Sequence, residues 1–369
     1  MNNLFDYIEK YGNLSFDEKK VTDIDILIFS QILYLNYDGV FENSLEEIDL
    51  STVWQKAKEQ NNKITFYAMK KAFKIMENIS VKKRYKDIIL KNYVYHTADD
   101  TQFGAITIII PNNYIYVVFE GTDDTLEGWE EDFKLSYIYP TESQKLAAIY
   151  LNDTIKLLGK KVVICGHSKG GNLALVAGMN TNIIKKSKIK KIYSFDGPGL
   201  KDEEFKSLNY RLVKRKLINI VPNGSIIGLL LNQEKLTVVK SIGVGLFGHS
   251  VTTWLVNDDK FIDDSLNLLS QKFHIVIKRW LNRHTYEERK QIIEEVFGVF
   301  ENVNIKNLSD IKLDKLDEIY GAISSSKSIS NETKELIIKS LKLLIEDFKI
   351  EIINEGNIIK NKIIDKYLK

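Results

Sequence analysis

The chain has one cysteine, Cys165, in 369 residues. That excludes an internal disulfide framework and any zinc site built on two or more thiolates, and it suits a reducing compartment. Four prolines exclude a Pro-rich stalk or linker protein. Net charge is nearly absent: 52 Lys and Arg against 50 Asp and Glu leave +2. No global field would recruit nucleic acid, so a polyanion site would have to be a local patch. No run reaches the roughly 18 uninterrupted apolar residues of a membrane-spanning helix. The nearest stretch, Leu217 to Leu231, contains Asn219, Pro222, Asn223 and Gly224. The opening Met1–Lys10 has no basic segment followed by an apolar one, so no secretory signal is expected there. These absences predict a soluble, cytoplasmic protein with no nucleic-acid partner.

What is present is enough for a packed core. Hydrophobic residues make up 44% and charged residues 28%, which excludes wholesale disorder. At about 150 residues per domain, two or three structural units are expected. Residues 1–92 read as helical, a segment predicted to pack on the core. Asp23 to Tyr37 is the clearest piece, with Ile24, Ile26, Leu27, Ile28, Phe29, Ile32, Leu33 and Leu35 leaving little polar surface. Lys58 to Asn78 reads as one or two further helices. Residues 93–260 read as an α/β core. Ala105 to Ile110 and Tyr114 to Phe119 are two strand-like runs joined by Pro111-Asn112-Asn113, a hairpin signal. Strand-like Val162–Cys165, Ile192–Phe195 and Leu217–Val221 then alternate with helical Glu142–Leu158 and Gly170–Met179. Such alternation predicts a mostly parallel sheet covered by helices. Residues 261–369 read as helical again, interrupted near Ser324-Ser325-Ser326 and at Gly356.

The most informative stretch is Cys165-Gly166-His167-Ser168-Lys169-Gly170-Gly171-Asn172. It holds G-x-S-x-G between an expected strand and an expected helix. A serine on a sharp strand-to-helix turn is lifted above the sheet edge, and the glycines leave room for that turn. The helix that follows offers N–H groups and a partial positive charge to a developing oxyanion. A serine hydroxyl is a weak nucleophile without a base. Five histidines are available: His96, His167, His249, His274 and His284. In the order serine, acid, histidine, His96 comes too early. His167 sits inside the turn with its ring expected to point away, and His274 and His284 lie in helical sequence. His249 follows a late strand and the loop Gly243-Val244-Gly245-Leu246-Phe247-Gly248, which is where a base belongs.

The acid that would orient His249 is less plain. The position after Leu217–Val221 holds Pro222-Asn223-Gly224-Ser225 and no carboxylate. Asn223 could hold an imidazole through its side-chain oxygen. Asp196, one strand earlier, is a carboxylate and ranks ahead of it. Asp258 and Asp259 follow the histidine, in the wrong order. A second oxyanion donor is expected from Phe119-Glu120-Gly121-Thr122, so the backbone N–H groups of Thr122 and Lys169 form the expected pair.

The pattern Gly121-Thr122, Gly128-Trp129-Glu130-Glu131-Asp132 and Gly166-His167-Ser168-Lys169-Gly170-Gly171 resembles class 3 lipases, which carry G-T, D-W-x-x-D and G-H-S-x-G-G at similar spacing. It is closer still to the bacterial Mbeg-like branch of that superfamily. The matching stretches are Val21–Ile28, Gly166–Asn172, Val221–Gly228, Val238–Ser241, Gly248-His249 and Trp254, spread over residues 20 to 300. The resemblance implies an α/β-hydrolase fold, Ser168 as nucleophile, His249 as base and Thr122 at the oxyanion hole. Class 3 lipases have an aspartate near V-P where this chain has Val221-Pro222-Asn223, and an aspartate where it has Gly128.

Three other features stand out. Gly243-x-Gly245-x-x-Gly248 formally matches a dinucleotide fingerprint, but it sits late in the sheet and leads into His249, so it reads as a mobile loop carrying the base. The run Lys185–Lys191 reads first as a solvated helix end, and second as a contact with an anionic membrane surface. The apolar Ile226–Leu231 is either a buried helix or an apolar wall for an acyl chain. The expectation is a serine hydrolase that needs neither metal nor cofactor and acts on a small-molecule or lipid ester. The competing expectation is a weak or inactive hydrolase-fold binding module that uses its C-terminal helices for partner contacts.

Overall fold

The computed structural model of the chain describes residues 2–43, 45–61, 67–98, 101–122, 126–243, 245–302, 321 and 330–339. The chain divides into two compact units, Met1–Asp123 with Pro140–Leu266, and Asp124–Tyr139 with Asn267–Lys369.

The first unit opens with α1 (Leu4–Tyr11) and α2 (Asp23–Ile32), each started by a capping box, Asn3 with Asp6 and Thr22 with Asp25. Only Asp23 of α2 escapes burial, as its near-continuous apolar sequence requires. It stops at Ile32 rather than Tyr37, where the Tyr37 hydroxyl turns back to donate to the Ile32 carbonyl at 2.8 Å. The chain continues through β1 (Glu47–Asp49), α3 (Leu50–Ala57), α4 (Tyr67–Ile79), β2 (Ile89–Ala98), β3 (Thr101–Ile109) and β4 (Ile115–Phe119). The short helix α5 (Leu126–Lys134) belongs to the second unit. The first unit resumes with α6 (Glu142–Leu158), β5 (Val162–His167), α7 (Lys169–Asn180), α8 (Ile183–Lys186), β6 (Ile189–Phe195), α9 (Asp202–Lys206), α10 (Leu208–Val213), β7 (Leu217–Pro222), β8 (Leu236–Val239) and α11 (Gly245–His249). A two-stranded hairpin, β9 (Val256–Asn257) and β10 (Lys260–Phe261), ends it.

The sheet has eight strands in the order β1 to β8. β1 to β4 pair antiparallel, and β4 to β8 pair parallel. β4 and β5 are buried along their whole length, because helices cover both faces of a parallel sheet and select apolar runs. Helix α6 runs over the residues expected. Thr141 and Gln144 cap its start, and Gly159 at φ 61° ends it in the left-handed region that glycine adopts freely.

The N-terminal stretch is less helical than its composition suggests. β2 begins at Ile89, inside the expected helical region, and pairs with both β1 and β3. A register shift between Lys91 and Val94, with Asn92 at φ 54°, breaks the alternation by which a strand is recognised. The hairpin β9–β10 also lies beyond the last strand expected, the one ahead of His249.

In the second unit, helices α12 (Leu268–Arg283) and α13 (Tyr286–Asn302) follow one another. Tyr137, Ile293 and Phe297 form one buried cluster, with Trp129 and Tyr286 packed against it, and Ile292, Val299 and Ile337 form another. The Arg289 guanidinium donates to the Ser136 carbonyl at 2.8 Å. The interruptions expected at 324–326 and 356 fall outside the described residues. A mostly parallel sheet that carries a serine on the turn from β5 to α7 is the α/β-hydrolase architecture.

Candidate active site

Strand β5 delivers the chain to Ser168, and α7 begins at the next residue. Ser168 holds φ 57° and ψ −132°, a conformation that a residue with a Cβ adopts only under constraint. Two hydrogen bonds impose it: Ser168 N–H donates to the Phe195 carbonyl at 2.9 Å, and Gly171 N–H donates to the Ser168 carbonyl at 2.9 Å. Around this turn the backbone is packed too closely for side chains. A Cβ on Gly166 would strike the backbone of Gly170, and one on Gly170 would strike the carbonyl of Phe119. The two glycines of the G-x-S-x-G pattern are therefore fixed by space.

Asp196 directly follows β6, also at positive φ (50°), and is fully buried. Its Oδ2 lies 2.6 Å from His249 Nδ1. Its Oδ1 accepts from Ser225 Oγ at 2.5 Å and from the Gly228 N–H at 3.0 Å. Gly228 has no room for a Cβ, which would meet Asp196 Oδ1. The apolar segment Ile226–Leu231 thus forms a 3₁₀ turn at Ile227–Leu229 that presents a backbone donor to the carboxylate.

His249 closes α11, where the sequence suggested a mobile loop. The glycines there serve a tight turn: a Cβ on Gly243 would meet Phe247 and Gly248, and Gly245 sits at φ 59°. The backbone around His249 is anchored on both sides. Trp254 Nε1 donates to the Gly248 carbonyl at 3.0 Å, and His167 Nε2 lies 3.0 Å from the His249 carbonyl. A carbonyl only accepts, so His167 carries its proton on Nε2. Its Nδ1 is then the acceptor for the Tyr34 hydroxyl at 3.0 Å. The Ser168 hydroxyl makes no hydrogen bond among the described residues. Bonds between a nucleophile and its base are often long before substrate binds.

The expected oxyanion donors stand on the two neighbouring strand ends. Thr122 follows β4 and is buried. Lys169 opens α7, so its backbone N–H lies at the positive end of the helix dipole. The Lys169 side chain is buried and turns away to β3, donating to the Gln102 carbonyl at 2.8 Å and to Gln102 Oε1 at 3.3 Å. Gln102 Nε2 reaches the Gly121 carbonyl at 3.4 Å. That carbonyl belongs to the same peptide plane as the Thr122 N–H and points the opposite way. Gln102 therefore bears on the direction of that N–H.

Asn223 is not brought to the histidine. Its Oδ1 accepts from Ser241 N–H at 3.2 Å and Ser241 Oγ at 2.9 Å, and its Nδ2 donates to Asp264 at 2.8 Å. It follows β7 directly and bridges Ser241 and Asp264 instead. Asp258 and Asp259 lie in the β9–β10 hairpin and pair with Lys10 and Lys19. Tyr34, Gln102, Ser225 and Gly228 were not singled out as site residues by the sequence. Gly228 carried a signal, as a glycine amid an apolar run; the others are ordinary polar residues far away in sequence.

Burial, and secondarily the neighbouring His249, holds the His167 pKa well below the ordinary histidine value. The folded chain keeps this ring neutral while the unfolded chain takes up a proton below about pH 6.5. Stability is therefore complete above that pH and is lost as pH falls, by up to about 1.4 kcal/mol per pH unit from this residue. Urea unfolding of wild type and His167→Gln between pH 7.5 and 5 is expected to show a shallower loss in the variant. Equal slopes would remove His167 as the cause.

Among the described residues no group of three or more His, Cys, Asp or Glu is arranged to hold a metal ion. No helix among them is long and apolar enough to cross a membrane.

Among solved structures the chain is similar to the M37 lipase, at 16% identity and a TM-score of 0.35, over 56% of this chain and 69% of that one. It is similar to the lipase of Rhizopus microsporus var. chinensis at 14% identity and a TM-score of 0.35, over 69% and 84%. For the native Rhizomucor miehei lipase propeptide complex the values are 19% and 0.32, over 41% of this chain and only 57% of that one. None of the curated proteins matches the chain. Residues 79–298, more than half of the sequence, match the Mbeg1-like family model, and the chain belongs to that family.

Proposed function

We propose that this protein is a serine hydrolase that cleaves carboxylic esters, with a small-molecule or lipid ester as substrate. The observation that carries the reading is the 2.6 Å contact between buried Asp196 and His249 Nδ1, beside a serine held on a strained strand-to-helix turn. A carboxylate on Nδ1 keeps the proton there and leaves Nε2 as an acceptor. Ser168 Oγ then attacks the ester carbonyl while His249 Nε2 takes its proton. The oxyanion forms between the N–H groups of Thr122 and Lys169, each worth about 3 kcal/mol in the transition state. His249 returns the proton to the leaving alcohol. Water, deprotonated by the same nitrogen, releases the acid and restores the serine.

The alternative, a hydrolase fold kept only for binding, drew its motive from the missing carboxylate near Asn223 and from the long helical stretch Phe261 to Lys369. The carboxylate that Asp196 holds against His249 favours the hydrolase over the first of these motives. The test is turnover of p-nitrophenyl esters across a range of acyl lengths, together with fluorophosphonate labelling located by peptide mapping. Labelling at Ser168, lost in His249→Ala, is the expected result. A chain that neither labels nor turns over any ester would overturn the reading.

A further inference from the structure

The strands β5, β6, β7 and β8 run parallel, so their N-terminal ends share one edge of the sheet. Ser168 and Asp196 lie at the other edge. With about 3.3 Å per residue, the six residues of β5 separate the two edges by roughly 20 Å. The N-terminal edge is basic strand by strand. Lys160 and Lys161 precede β5, Lys188 precedes β6, Lys216 precedes β7 and Lys235 precedes β8. Residues 183–191 contain five lysines and residues 205–216 five basic residues, with no acid in either stretch.

These segments are knitted together. Lys185 Nζ donates to the Asn152 carbonyl of α6 at 2.9 Å, and Lys188 Nζ donates to the Gly159 carbonyl at 3.0 Å. Lys216 Nζ donates to the carbonyls of Lys186 and Ile189 at 2.6 and 2.8 Å. Burial, and then the nearby Lys190, lowers the Lys216 pKa. The ammonium groups of Lys185, Lys188 and Lys216 therefore rest on neutral carbonyls. Among the described residues none of these three, nor Lys190, is in an ion pair with a carboxylate. Acids flank the edge, Asp153 on α6 and Asp202 to Glu204 on α9, and Glu234 beside the start of β8 pairs with Lys214 at 3.3 Å.

Two isoleucines stand at the tip of this edge. Ile183 and Ile184 open α8 and are 67% and 78% exposed, and Leu208 on α10 is 61% exposed. The Lys186 ammonium ties α8 to α10 through Asn209 at 3.1 Å. Exposed aliphatic side chains ringed by uncompensated lysines match a surface with anionic headgroups over hydrocarbon. A nucleic-acid backbone offers nothing to the isoleucines.

We propose that the N-terminal edge of the parallel strands, with Ile183 and Ile184 at its tip, docks the protein on an anionic lipid bilayer. The docked protein presents the Ser168 edge away from that bilayer. The proposal concerns attachment and is independent of the hydrolase reading, so Ser168→Ala is expected to bind vesicles as wild type does.

The test is sedimentation of the full chain with phosphatidylcholine vesicles, pure or with about a third phosphatidylserine, at low and high salt. Wild type is expected to bind the anionic vesicles, to ignore the neutral ones and to be released by salt. The triple variant Lys185→Gln, Lys188→Gln, Lys190→Gln is expected to bind on the order of 100-fold more weakly. Ile183→Ser with Ile184→Ser is expected to weaken binding about 10-fold or more at unchanged charge. All the substituted positions are exposed except half-buried Lys185, and both variants should keep the wild-type circular dichroism and, for a soluble ester, the wild-type rate. Absence of binding by wild type would overturn the proposal, as would equal binding to neutral vesicles or variants that bind as wild type does. Salt-sensitive binding to duplex DNA that needs the lysines but not the isoleucines would overturn it in favour of a nucleic-acid surface.

Discussion

Turnover of a soluble ester is expected to fall by about 10⁵-fold or more in Ser168→Ala and by about 10³- to 10⁴-fold in Asp196→Asn. The second substitution is the sharper of the two. An asparagine at position 196 keeps an oxygen that can accept from Ser225 Oγ and the Gly228 N–H, so the loop should stay in place. Its amide, however, would donate to His249 Nδ1 and drive the ring proton to Nε2. The base could then no longer accept from Ser168. The loss should appear in kcat with KM little changed, because nothing that binds substrate has moved. Asn223→Ala serves as the control. Its partners are Ser241 and Asp264, so kcat should stay within about twofold of wild type. A large loss in Asn223→Ala with a small one in Asp196→Asn would reverse the assignment.

That contrast marks where the sequence stops being legible. The serine turn can be read because its demands are local. Gly166 is fixed by the backbone of Gly170 four residues on, and the whole pattern spans five residues, although Gly170 itself is held against the distant Phe119 carbonyl. His249 follows from order along the chain. The partner of His249 does not, because it depends on which of two parallel strand ends lies nearer the histidine. Asp196, just past β6, is held at positive φ with its carboxylate on His249 of α11, whereas Asn223 stays paired to the backbone of β8 through its N–H at 2.7 Å from the Val239 carbonyl. Neither fact leaves a periodic trace. Gln102, 67 residues from Lys169, is invisible for the same reason. The central parallel strands β4 and β5 were plain because burial on both faces makes them largely apolar. β2 was not, since a bulge interrupts it and much of it is only half-buried.

Removing either member of the Asp25–Arg84 pair is expected to destabilise the first unit by about 3–5 kcal/mol. Both side chains are wholly buried, and Arg84 Nη2 lies 2.7 Å from Asp25 Oδ2. Asp25 also accepts from Arg84 Nε at 2.9 Å, Tyr85 OH at 2.7 Å, Tyr7 OH at 2.9 Å and Thr22 N–H at 2.8 Å. Arg84 in turn donates to the carbonyls of Leu14, Ser15, Lys19 and Lys20. One ion pair thus satisfies the start of α2, the end of the α4–β2 connection and the whole loop between α1 and α2. Asp25→Asn would leave a guanidinium buried without its counter-charge. Arg84→Met would leave a carboxylate in that state and four carbonyls short of a donor. Each should lower the midpoint of thermal unfolding by roughly 10 °C for a unit of this size. The double variant should cost clearly less than the two singles together, because the second substitution removes a charge the first had stranded. Singles that cost under about 1 kcal/mol, or a strictly additive double, would mean that the pair adds little beyond its packing. Tyr34, just past the end of α2, donates to His167 inside the serine turn. At temperatures where the variants remain folded, ester turnover should therefore report whether the position of α2 is transmitted to Ser168.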